Sequence, residues 1–545
     1  MLNIKKLNFF GVILSFLFPL CMFLGYSYSH TNSWSLLFTN NLMRNILHIF
    51  LVIVAGFVLC ILLNNFLDYI HSYKSSKRIK NKKIKNSYIF SIPIILIGWL
   101  PIIISNLPGS VPYDGMTQLL EHFGQIPHYG HHPVFITRLY GILVQLGQIL
   151  INTNFGVFLV VLFQTVFCVV IFSNVCDFIL EVTGSRTFYI ISVLFYSLFP
   201  MFGFYVSAVL KDTFYMIVAT WFSLCICKGI TRKINKGILF TRKSQIISLI
   251  ISGLLMCLSR KEASICVIIT LLFLFLSLIK GKNYTLSEIK SIVIIVASIL
   301  LINSGFNFVV FNIIGIQKGE VSEALSIPFQ QTGRYVRDYE DDINDEEKAA
   351  ISAILPYDEL GSLYDPELSD PIKGKMNNES GTTGYVNYIK AWITMGLKHP
   401  NVYFEATLNN TYGYFYPLYK GKDLYLSSIN HTQAERWGGK ELDIYFLFEN
   451  SAYKNGINAF YKMLTSIPIL NIIFNPGFYF WIIAFLITYC IQFKIRLKSI
   501  SLVLPAMTFL ICFASPANGF ARYAIVVYST ILLLISTILS DKKNL

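Results

Sequence analysis

Apolar stretches close to the length of a membrane span recur along this chain, and they restrict the fold more than any other feature. A helix needs about 20 predominantly apolar residues to cross a bilayer. With 54% hydrophobic residues and a mean hydropathy of +0.57, the chain is too apolar for an ordinary soluble protein. We predict an all-α, multi-pass plasma-membrane protein with about 12 transmembrane helices, the first of them uncleaved. The candidate spans are 9–27, 45–68, 88–106, 156–177, 187–208, 213–229, 245–259, 263–280, 291–312, 469–492, 499–514 and 523–540.

One further apolar stretch, residues 134–151, differs from these spans because it carries a polar stripe. Polar or small residues recur in it at spacings of three and four: Thr137, Arg138, Gly141, Gln145 and Gln148. Such spacing places them on one face of an amphipathic helix. We predict that this helix lies on the outer membrane surface and does not span.

The distribution of lysine and arginine predicts the orientation, because cytoplasmic loops collect these residues. If helix 134–151 does not span, three basic loops and both termini all face the cytoplasm. These loops contain Lys74, Lys77, Arg78, Lys80, Lys82, Lys83 and Lys85, then Arg232, Lys233, Lys236, Arg242 and Lys243, then Lys494, Arg496 and Lys498.

Four regions follow from this orientation. Residues 1–87 form two transmembrane helices and a basic cytoplasmic loop, and residues 88–312 form a transmembrane core with an outer loop at 107–133. Residues 313–468 form an extracytoplasmic domain, and residues 469–545 contain three C-terminal transmembrane helices.

The predicted extracytoplasmic domain holds 21 of the 30 acidic residues and 14 basic ones, so it is slightly acidic. A nucleic-acid partner is therefore not expected, despite the net charge of +14 for the whole chain. We predict a mostly helical domain, with a short capped helix at 344–355 and a longer helix ending before Pro400. The stretch 357–375 is rich in Pro, Gly and Asp and predicts an ordered loop.

The outer loop contains "VPYDGMTQLLEHFGQIPHYGHHP", residues 111–133, with four of the nine histidines. Ionisable groups at membrane depth are costly, so Asp114 and the pair His131 and His132 are candidates for function. Glu121 and His122 are expected to face water as ordinary loop residues.

A metal site is an alternative for the same loop. His128, His131 and His132 could join Asp114 or Glu121 as ligands of a divalent ion. Their spacing matches none of the usual helical zinc motifs, however. The adjacent histidines are equally suited to donate hydrogen bonds to a phosphate. No cofactor is assigned with certainty, and a divalent metal stays an alternative.

Other ionisable groups fall at the predicted outer ends of the spans: Lys211 and Asp212, then Arg260, Lys261 and Glu262, then Arg522 in "SPANGFARY". Each could be an anchor whose charged end reaches toward the membrane surface. Together they place acids able to act as bases beside cations able to hold an anion. Carboxylates and fixed cations at one depth indicate a site for chemistry on an anionic substrate.

A set of short motifs runs through the same regions: "PYDGMTQL", "HHP" before the amphipathic helix, "VLKD", "EALSIPFQQ", "SDPIKGK", "LKHPNVYFEA", "NTYGYFYP" and "ARY". In these motifs the chain, from about residue 90 to its C-terminus, resembles a family of multi-pass bacterial proteins that are mostly uncharacterised. That family is similar in architecture to GT-C glycosyltransferases, which take sugars from polyprenyl-phosphate carriers on the outer face of the membrane.

The resemblance implies a GT-C-like fold with an extracytoplasmic active site. It implies that Asp114 is the catalytic base and that Asp212 is a second catalytic acid, with Tyr113 and Glu262 among the substrate-binding residues. The histidine pair with Lys211, Arg260, Lys261 and Arg522 would bind the donor phosphate. This chain departs from the GT-C pattern in having two extra spans before the outer loop. It also has Tyr-Asp-Gly instead of an acidic doublet, which leaves the metal question open.

The function expected from these observations is transfer of a sugar from a polyprenyl-phosphate donor to a cell-envelope glycan or glycolipid at the outer face. One alternative is a polysaccharide polymerase or ligase, which would rely on outer-loop arginines; the domain has Arg334, Arg337 and Arg436. Another is a transporter or flippase of a lipid-linked glycan, which should carry ionisable residues or broken helices at mid-membrane.

Overall fold

The computed structural model describes residues 7–76, 88–282, 284–318, 321–377, 380–422, 424–436, 438–515 and 517–540. Most of the basic loop predicted around residues 74–85 lies outside these ranges, as do both chain ends. The regular structure of the described residues is helical apart from one parallel pairing of two short strands, β1 (Tyr129–Gly130) and β2 (Gln317–Lys318), and a few isolated β-bridges.

The first half of the chain consists of mostly long, apolar helices. They are α1 (Phe9–Thr31), α2 (Leu42–Ser76), α3 (Tyr88–Ser105), α4 (Tyr113–His122), α5 (Val134–Leu150), α6 (Thr153–Thr183), α7 (Arg186–Leu198), α8 (Pro200–Val206), α9 (Lys211–Lys236), α10 (Lys243–Ser259), α11 (Ala263–Lys280) and α12 (Leu286–Phe308). A single turn of π-helix, Val309–Ile313, continues α12.

The middle of the chain has shorter helices. They are α13 (Ser326–Asp338), α14 (Asp345–Ser352), α15 (Tyr357–Leu363), α16 (Asp370–Lys373), α17 (Gly381–Lys398), α18 (Pro400–Asn409), α19 (Thr432–Arg436), α20 (Ala452–Ser466) and α21 (Pro468–Phe474), with short 3-10 turns at Val321–Leu325, Glu340–Asp342 and Tyr412–Tyr414. The C-terminal part contains α22 (Pro476–Gln492), α23 (Arg496–Ser499), α24 (Val503–Phe513) and α25 (Ile525–Leu539), with 3-10 turns at Ile500–Leu502 and Ala521–Ala524.

Local capping explains where several helices begin and end. The Asn152 side chain accepts a hydrogen bond from a backbone N–H in the first turn of α6. Gly184 and Gly237 end α6 and α9 with φ of 63° and 73°, a left-handed conformation that favours glycine. Thr285 and Glu288 form a reciprocal capping box at the start of α12.

Eight of the described helices are long and apolar enough to cross a membrane, and ten if each of two bent helix pairs counts as one span. The protein is therefore a helical membrane protein, but the predicted number of twelve spans is not confirmed. The eight segments are Phe9–Thr31, Leu42–Ser72, Thr153–Thr183, Lys211–Lys236, Ala263–Lys280, Leu286–Ile313, Arg496–Phe513 and Ala521–Leu539.

Three of the predicted spans are absent from this set for structural reasons. The apolar helices in the predicted spans 88–106 and 245–259 are short. The predicted span 469–492 is broken, because Asn475 is extended and its side chain accepts a hydrogen bond from Gly477 N at 2.6 Å. Asn475 thereby starts a new helix, and α20 and α21 ahead of it meet at 98°.

The predicted amphipathic helix forms as α5, but part of its polar stripe contacts protein. Gln118 Nε2 donates to Thr137 Oγ1 at 2.9 Å, and a Cβ on Gly141 would overlap the His122 ring. Two of the stripe's five residues, Thr137 and Gly141, therefore face α4. Its position on the membrane surface stays a prediction.

The bundle has two distinct ends, which α9 connects. Its first residue, Lys211, approaches Asp114 on α4, and we call this the Asp114 end. Near its last turn, Lys233 is buried against Glu288 at 2.8 Å, and we call this the Lys233 end. A rise of 1.5 Å per residue separates these ends by about 35 Å, more than the hydrocarbon core of a bilayer.

The region 313–468 contributes to three apolar clusters, one of which joins Tyr412 and Tyr419 to Tyr28 of α1. A separate cluster, which includes Phe329, Tyr335 and Tyr388, is built from α13 to α18. By contrast, Tyr414 and Leu426 belong to the main apolar cluster of the bundle. The predicted short helix forms as α14 and the longer one as α17, but the stretch 357–375 is not simply loop, because α15 and α16 lie within it.

Candidate active site

The loop before α4 is held by backbone hydrogen bonds to segments distant in the sequence. Ser110 N donates to Ser207 O, and Val209 N donates to Ser110 O, both at 2.8 Å. Val111 pairs in the same way with residues 428–430. Because buried backbone groups need partners, this pairing on two sides fixes the start of α4 beside the residues that lead into α9.

Gly115 allows α4 to approach that segment closely. A Cβ at Gly115 would lie 1.9 Å from Val209 O, a distance that no side chain tolerates. The close approach brings Asp114, in the first turn of α4, next to Lys211, the first residue of α9. A carboxylate in a first helical turn is also stabilised by the helix dipole, which is a structural reason for an acid at this position.

Asp114 is paired with two cations from different parts of the chain. Its Oδ2 lies 3.3 Å from Lys211 Nζ and 3.5 Å from Arg522 Nη1. The Asp114 side chain is 21% exposed, so it remains reachable from outside the protein. Lys211 Nζ also lies 3.1 Å from His132 Nδ1, so one ammonium group joins the carboxylate to the histidine pair.

These contacts determine the protonation states. Burial raises the pKa of Asp114, but Lys211 and Arg522 outweigh it and hold that pKa well below its usual range. Burial, and then Lys211, lower the pKa of His132 well below its usual value. His132 is therefore neutral: its Nδ1 accepts from Lys211, and its proton is assigned to Nε2, which is a donor. The His131 ring is 4.7 Å from that of His132.

Asp212 follows Lys211 directly but has a different environment. It is 1% exposed, and its Oδ1 lies 3.6 Å from Arg260 Nη1. Arg260 Nε also lies 3.8 Å from Glu262 Oε2, whose side chain is largely exposed. A buried carboxylate needs a cation beside it. Asp212 therefore holds Arg260 in place from the buried side, while Asp114 is partly exposed at the surface of the site.

Aromatic rings order the two guanidinium groups. The Tyr523 ring centroid lies 5.5 Å from Arg260 Cζ and 4.9 Å from Arg522 Cζ, and Arg522 Nη2 donates to Tyr523 OH at 3.0 Å. Tyr113 stacks on Arg522 at 5.2 Å, and Tyr215 on Arg260 at 5.3 Å. Each such cation–π contact stabilises the pair by about 0.5–2 kcal/mol. Both arginines are thus held at fixed positions near the two acids.

The turn that carries Arg522 is anchored by the middle region of the chain. Asn518 N donates to Glu367 O at 2.9 Å, and Ala521 N donates to Lys422 O at 3.0 Å. Lys422 Nζ donates in turn to the Glu367 carboxylate at 2.6 Å. The position of Arg522 therefore depends on residues more than 90 positions earlier in the sequence.

A cavity of about 320 Å³ lies beside these charges, between the start of α5, the end of α10, the start of α11 and the end of α12. Its polar residues include His132 and Lys261, which belong to the charged cluster. Two asparagines from α12 and several apolar side chains line the rest of it: Asn303, Asn307, Val134, Leu258, Phe306, Val310 and Phe311. An apolar cavity with a few convergent polar groups suits an amphiphile with a small anionic head.

The donor set does not fit a divalent metal ion. Among the residues that the structure describes, no three His, Cys, Asp or Glu side chains are close enough to hold one. Lys211 occupies both Asp114 Oδ2 and His132 Nδ1, the atoms that would be ligands. His128 instead lies 3.6 Å from Glu121.

Residues 129–544 match the family described as "Family of unknown function (DUF6020)". The chain belongs to this family. The matched range is narrower than the resemblance expected from about residue 90. It contains every predicted site residue except Tyr113 and Asp114, which precede it. A search of curated proteins finds no match to the chain.

Among solved structures, the DUF6020 chain is similar to the archaeal oligosaccharyltransferase AglB from Archaeoglobus fulgidus, solved in complex with an inhibitory peptide and a dolichol-phosphate. The identity is 12% and the TM-score 0.36, over 83% of this chain and 50% of that one. The chain thus spans about half the length of the solved protein that it matches. A likeness of this size carries no argument about residues or reaction.

The structure brings the predicted residues of the DUF6020 chain together. Besides the pairs described above, Lys261 lines the cavity. Their roles stay predictions. The expectation that Glu121 faces water is wrong, because its side chain is 3% exposed and lies against His128. His122 is half-buried. The short helix α4 packs against α5, which covers the face that carries these two residues.

Sequence reasoning missed four residues that complete the site. Asn303 and Asn307 are one turn apart in an otherwise apolar span, and amides in such a position are a signal of function. Tyr523 directly follows Arg522, and amphipathic aromatic residues near a membrane surface often contact cations. Tyr215 carries no comparable signal, because it lies within an apolar helix that holds other aromatic residues.

Proposed function

We propose that the protein is a membrane glycosyltransferase that moves a sugar from a polyprenyl-phosphate donor to a hydroxyl of a cell-envelope glycan or glycolipid. One observation carries the proposal: a reachable carboxylate, Asp114, lies among fixed cations beside a cavity with an apolar wall. The basic residues Lys211, Arg260, Lys261 and Arg522 outnumber the nearby carboxylates by one, so the site attracts an anion.

The chemistry needs both kinds of group. The acceptor oxygen forms a bond to C1 of the sugar as the bond from C1 to the phosphate oxygen breaks, and the acceptor hydroxyl loses its proton. In this proposal Asp114 takes that proton, and polyprenyl phosphate leaves with the bonding electrons. General-base help of this kind typically contributes about 10² to 10⁴ in rate. Cations held in place stabilise the charge that develops on the leaving phosphate.

Because Lys211 and Arg522 hold the pKa of Asp114 low, this carboxylate is a weak base while the site is empty. A donor phosphate entering from the cavity competes for these same cations, and its arrival weakens their hold on Asp114. The pKa of Asp114 then rises toward its usual value. Donor binding thus makes Asp114 a stronger base. In the empty site Asp114 stays ionised and is a weak base.

Asp212 has a different role in this proposal. Because it is buried beneath Arg260, it acts as a positioning residue that keeps the guanidinium directed at the phosphate. His132 donates from Nε2 to a phosphate oxygen, with His131 beside it. Lys261 contacts the phosphate at the cavity rim, and the prenyl chain lies against the apolar wall formed by α12.

The orientation is part of the proposal. The site lies at the Asp114 end, opposite the basic segment 230–244. Basic segments of this kind remain in the cytoplasm. The site then faces the outside of the plasma membrane, with both termini inside.

The alternatives receive less support. A polymerase or ligase would use outer arginines, but Arg334 lies 2.8 Å from Glu405 and Arg337 lies 2.6 Å from Asp338. Two carboxylates balance these two guanidinium groups, so no net positive charge is left there for an anion. A transporter is expected to have paired ionisable groups at mid-membrane, whereas the charges here gather at the two ends of α9.

The direct test uses purified full-length protein in detergent with a radiolabelled polyprenyl-phosphate sugar and an envelope-glycan extract as acceptor. We expect release of polyprenyl phosphate together with label in the acceptor. Label that crosses a vesicle bilayer without release of polyprenyl phosphate would contradict the proposal and indicate a flippase.

A variant series connects that activity to the site. Arg522→Gln and Lys261→Gln should raise the KM for the donor more than they lower kcat, because they remove contacts that are present in the ground state. The matched control is Lys290→Gln, an exposed lysine near the other end of α12. If all three variants had the kinetics of the parent protein, Arg522 and Lys261 would be membrane anchors without a role in donor binding.

A further inference from the structure

A second cavity, of about 370 Å³, lies toward the Lys233 end of the bundle. It is a groove over α9, with α6 on one side and α10 on the other. Lys228 and Arg232, one helical turn apart on α9, both line it, together with Ser244 and Ser248 of α10. The proposed glycosyl transfer uses none of these residues.

Neither cation in this groove has a carboxylate partner among the residues that the structure describes, whereas Lys233 at the same end does. The neighbouring Lys233 is buried and donates to Glu288 and to Gly237 O. Lys228, by contrast, makes no hydrogen bond or ion pair within the part of the chain that the structure describes. Arg232 donates through Nε to Leu239 O at 3.2 Å.

The Nη groups of Arg232 make no hydrogen bond or ion pair with other described residues, so they are available to a ligand. Acidic residues of α6, Asp177 and Glu181, attract Lys228 from a distance, but neither lies within ion-pair range of it. A half-buried ammonium in a cavity is costly without a counter-ion. The arrangement indicates that an anion from outside the chain completes it.

The depth of these cations along the membrane identifies the source of that anion. Lys228 and Arg232 follow Lys211 by 17 and 21 residues, which places them about 26 and 32 Å along α9. The hydrocarbon core of a bilayer is about 30 Å thick. If the Asp114 end lies at one membrane surface, these cations lie at the headgroup level of the opposite leaflet.

The groove continues as an apolar surface toward the membrane centre. Trp221, two turns before Lys228, donates through Nε1 to Ser248 Oγ at 2.9 Å and packs its ring 6.0 Å from Phe167. Ile171 of α6 forms the facing wall, and Val170 beside it is exposed. A hydrocarbon chain attached to an anion at Lys228 would lie along this surface.

We infer that this groove binds the phosphate of an anionic phospholipid, with one acyl chain against Trp221 and Ile171. Basic pockets between helices are typical sites for such headgroups, and each cation near the surface contributes about 1 kcal/mol to the attraction. The phosphate contacts Lys228 and Arg232, and Ser244 lies at the rim. The inference does not depend on the proposed transferase activity.

Native mass spectrometry of the purified full-length protein tests it, with phosphatidylglycerol, phosphatidylcholine and inorganic phosphate as separate probes. We expect phosphatidylglycerol to bind at least about 10-fold more tightly than phosphatidylcholine. The double variant Lys228→Gln/Arg232→Gln should lose that preference. The matched control is Lys236→Gln/Lys243→Gln, which removes the same charge from exposed positions at the same end and should retain the preference.

A second pair of variants tests the inference even if the double variant does not fold. Ser244 is exposed, so Ser244→Asp should fold normally and repel the phosphate, whereas Ser244→Ala should bind as the parent does. Equal binding of phosphatidylglycerol by all variants would overturn the inference. Inorganic phosphate that bound as tightly as the lipid, and was lost in the double variant, would show a site for a soluble anion and also overturn it.

Discussion

Replacing Asp114 by Asn removes one negative charge and the ability to accept a proton, while shape and hydrogen bonding are nearly unchanged. If Asp114 is the catalytic base, kcat should fall by about 10² to 10⁴, the typical contribution of a general base. This corresponds to about 3–5 kcal/mol in the activation barrier. Donor binding should persist, because the cations that hold the phosphate remain.

The same substitution also affects stability, and the geometry provides its size. A unit charge 3.3 Å from Lys211 Nζ interacts with it by about 5 kcal/mol at an effective dielectric constant of 20. The cost of removing the carboxylate from water offsets most of this energy. Because the Asp114 side chain is 21% exposed, water partly replaces the lost charge. We expect a net loss of about 1–3 kcal/mol and a fall in Tm of a few degrees.

Asp212→Asn is the matched control, and the two effects should be reversed in it. Asp212 is 1% exposed, so its loss leaves the Arg260 charge buried with less compensation. Breaking such a buried pair costs about 3–5 kcal/mol. We expect a larger fall in Tm than for Asp114→Asn but a smaller loss of kcat. Release of polyprenyl phosphate under saturating donor and a thermal melt in detergent measure the two quantities on the same preparations.

The reasoning fails if Asp114→Asn retains near-normal kcat while Asp212→Asn is inactive with an unchanged melt. The two roles would then have to be exchanged, and the stretch 111–133 would only dock the acceptor. A loss of both activity and donor binding in Asp114→Asn would show that the carboxylate organises the cations and does not take the proton.

Three other predictions follow from the geometry. Lys211→Gln removes the cation that lowers the pKa of Asp114 most, so this pKa should rise. The acid limb of the pH profile of kcat/KM should then move to higher pH. If the limb does not move, Asp114 is not the catalytic base. Gly115→Ala should lower Tm and activity, because overpacking against Val209 O costs about 1–3 kcal/mol or more. The matched control Gly456→Ala in α20, where an added Cβ meets nothing within 4 Å, should leave activity unchanged and raise Tm slightly. In a cysteine-free background, an impermeant thiol reagent on intact cells should label a cysteine at Ser427 and not one at Asn235; labelling at Asn235 would reverse the orientation.

The gathering of charge at one end of the bundle could be predicted from the sequence. Ionisable residues interrupt apolar stretches at Lys211, Arg260 and Arg522, and the alternation of spans predicts that these interruptions face the same way. Periodicity could not predict which acid meets which cation. Asp114 and Lys211 meet because Ser110 pairs with a backbone segment almost 100 positions later. Local sequence patterns do not predict such long-range pairing.

One error arose from tertiary packing and another from a local helix start within an apolar stretch. Glu121 has the polar neighbours of a surface loop, yet the packing of α5 on α4 turns it inward beside His128. The predicted span 469–492 is predominantly apolar, but it contains Asn475-Pro476-Gly477, where Asn475 caps a new helix and breaks the span in two. The first error reflects tertiary packing, and the second reflects a helix-start signal inside an apolar stretch.

The parallel pairing of β1 with β2 mechanically links two parts of the site. Residues near the end of α12 form one wall of the cavity, and the chain then continues through a π-helical turn into β2, whose partner β1 directly precedes His131. A Cβ on Gly130 would lie 2.9 Å from Gln317 O, so the two strands are closely packed. A sideways movement of α12 would therefore also move the loop that carries His131 and His132. A change in the width of the cavity would then be coupled to the position of the two imidazole rings.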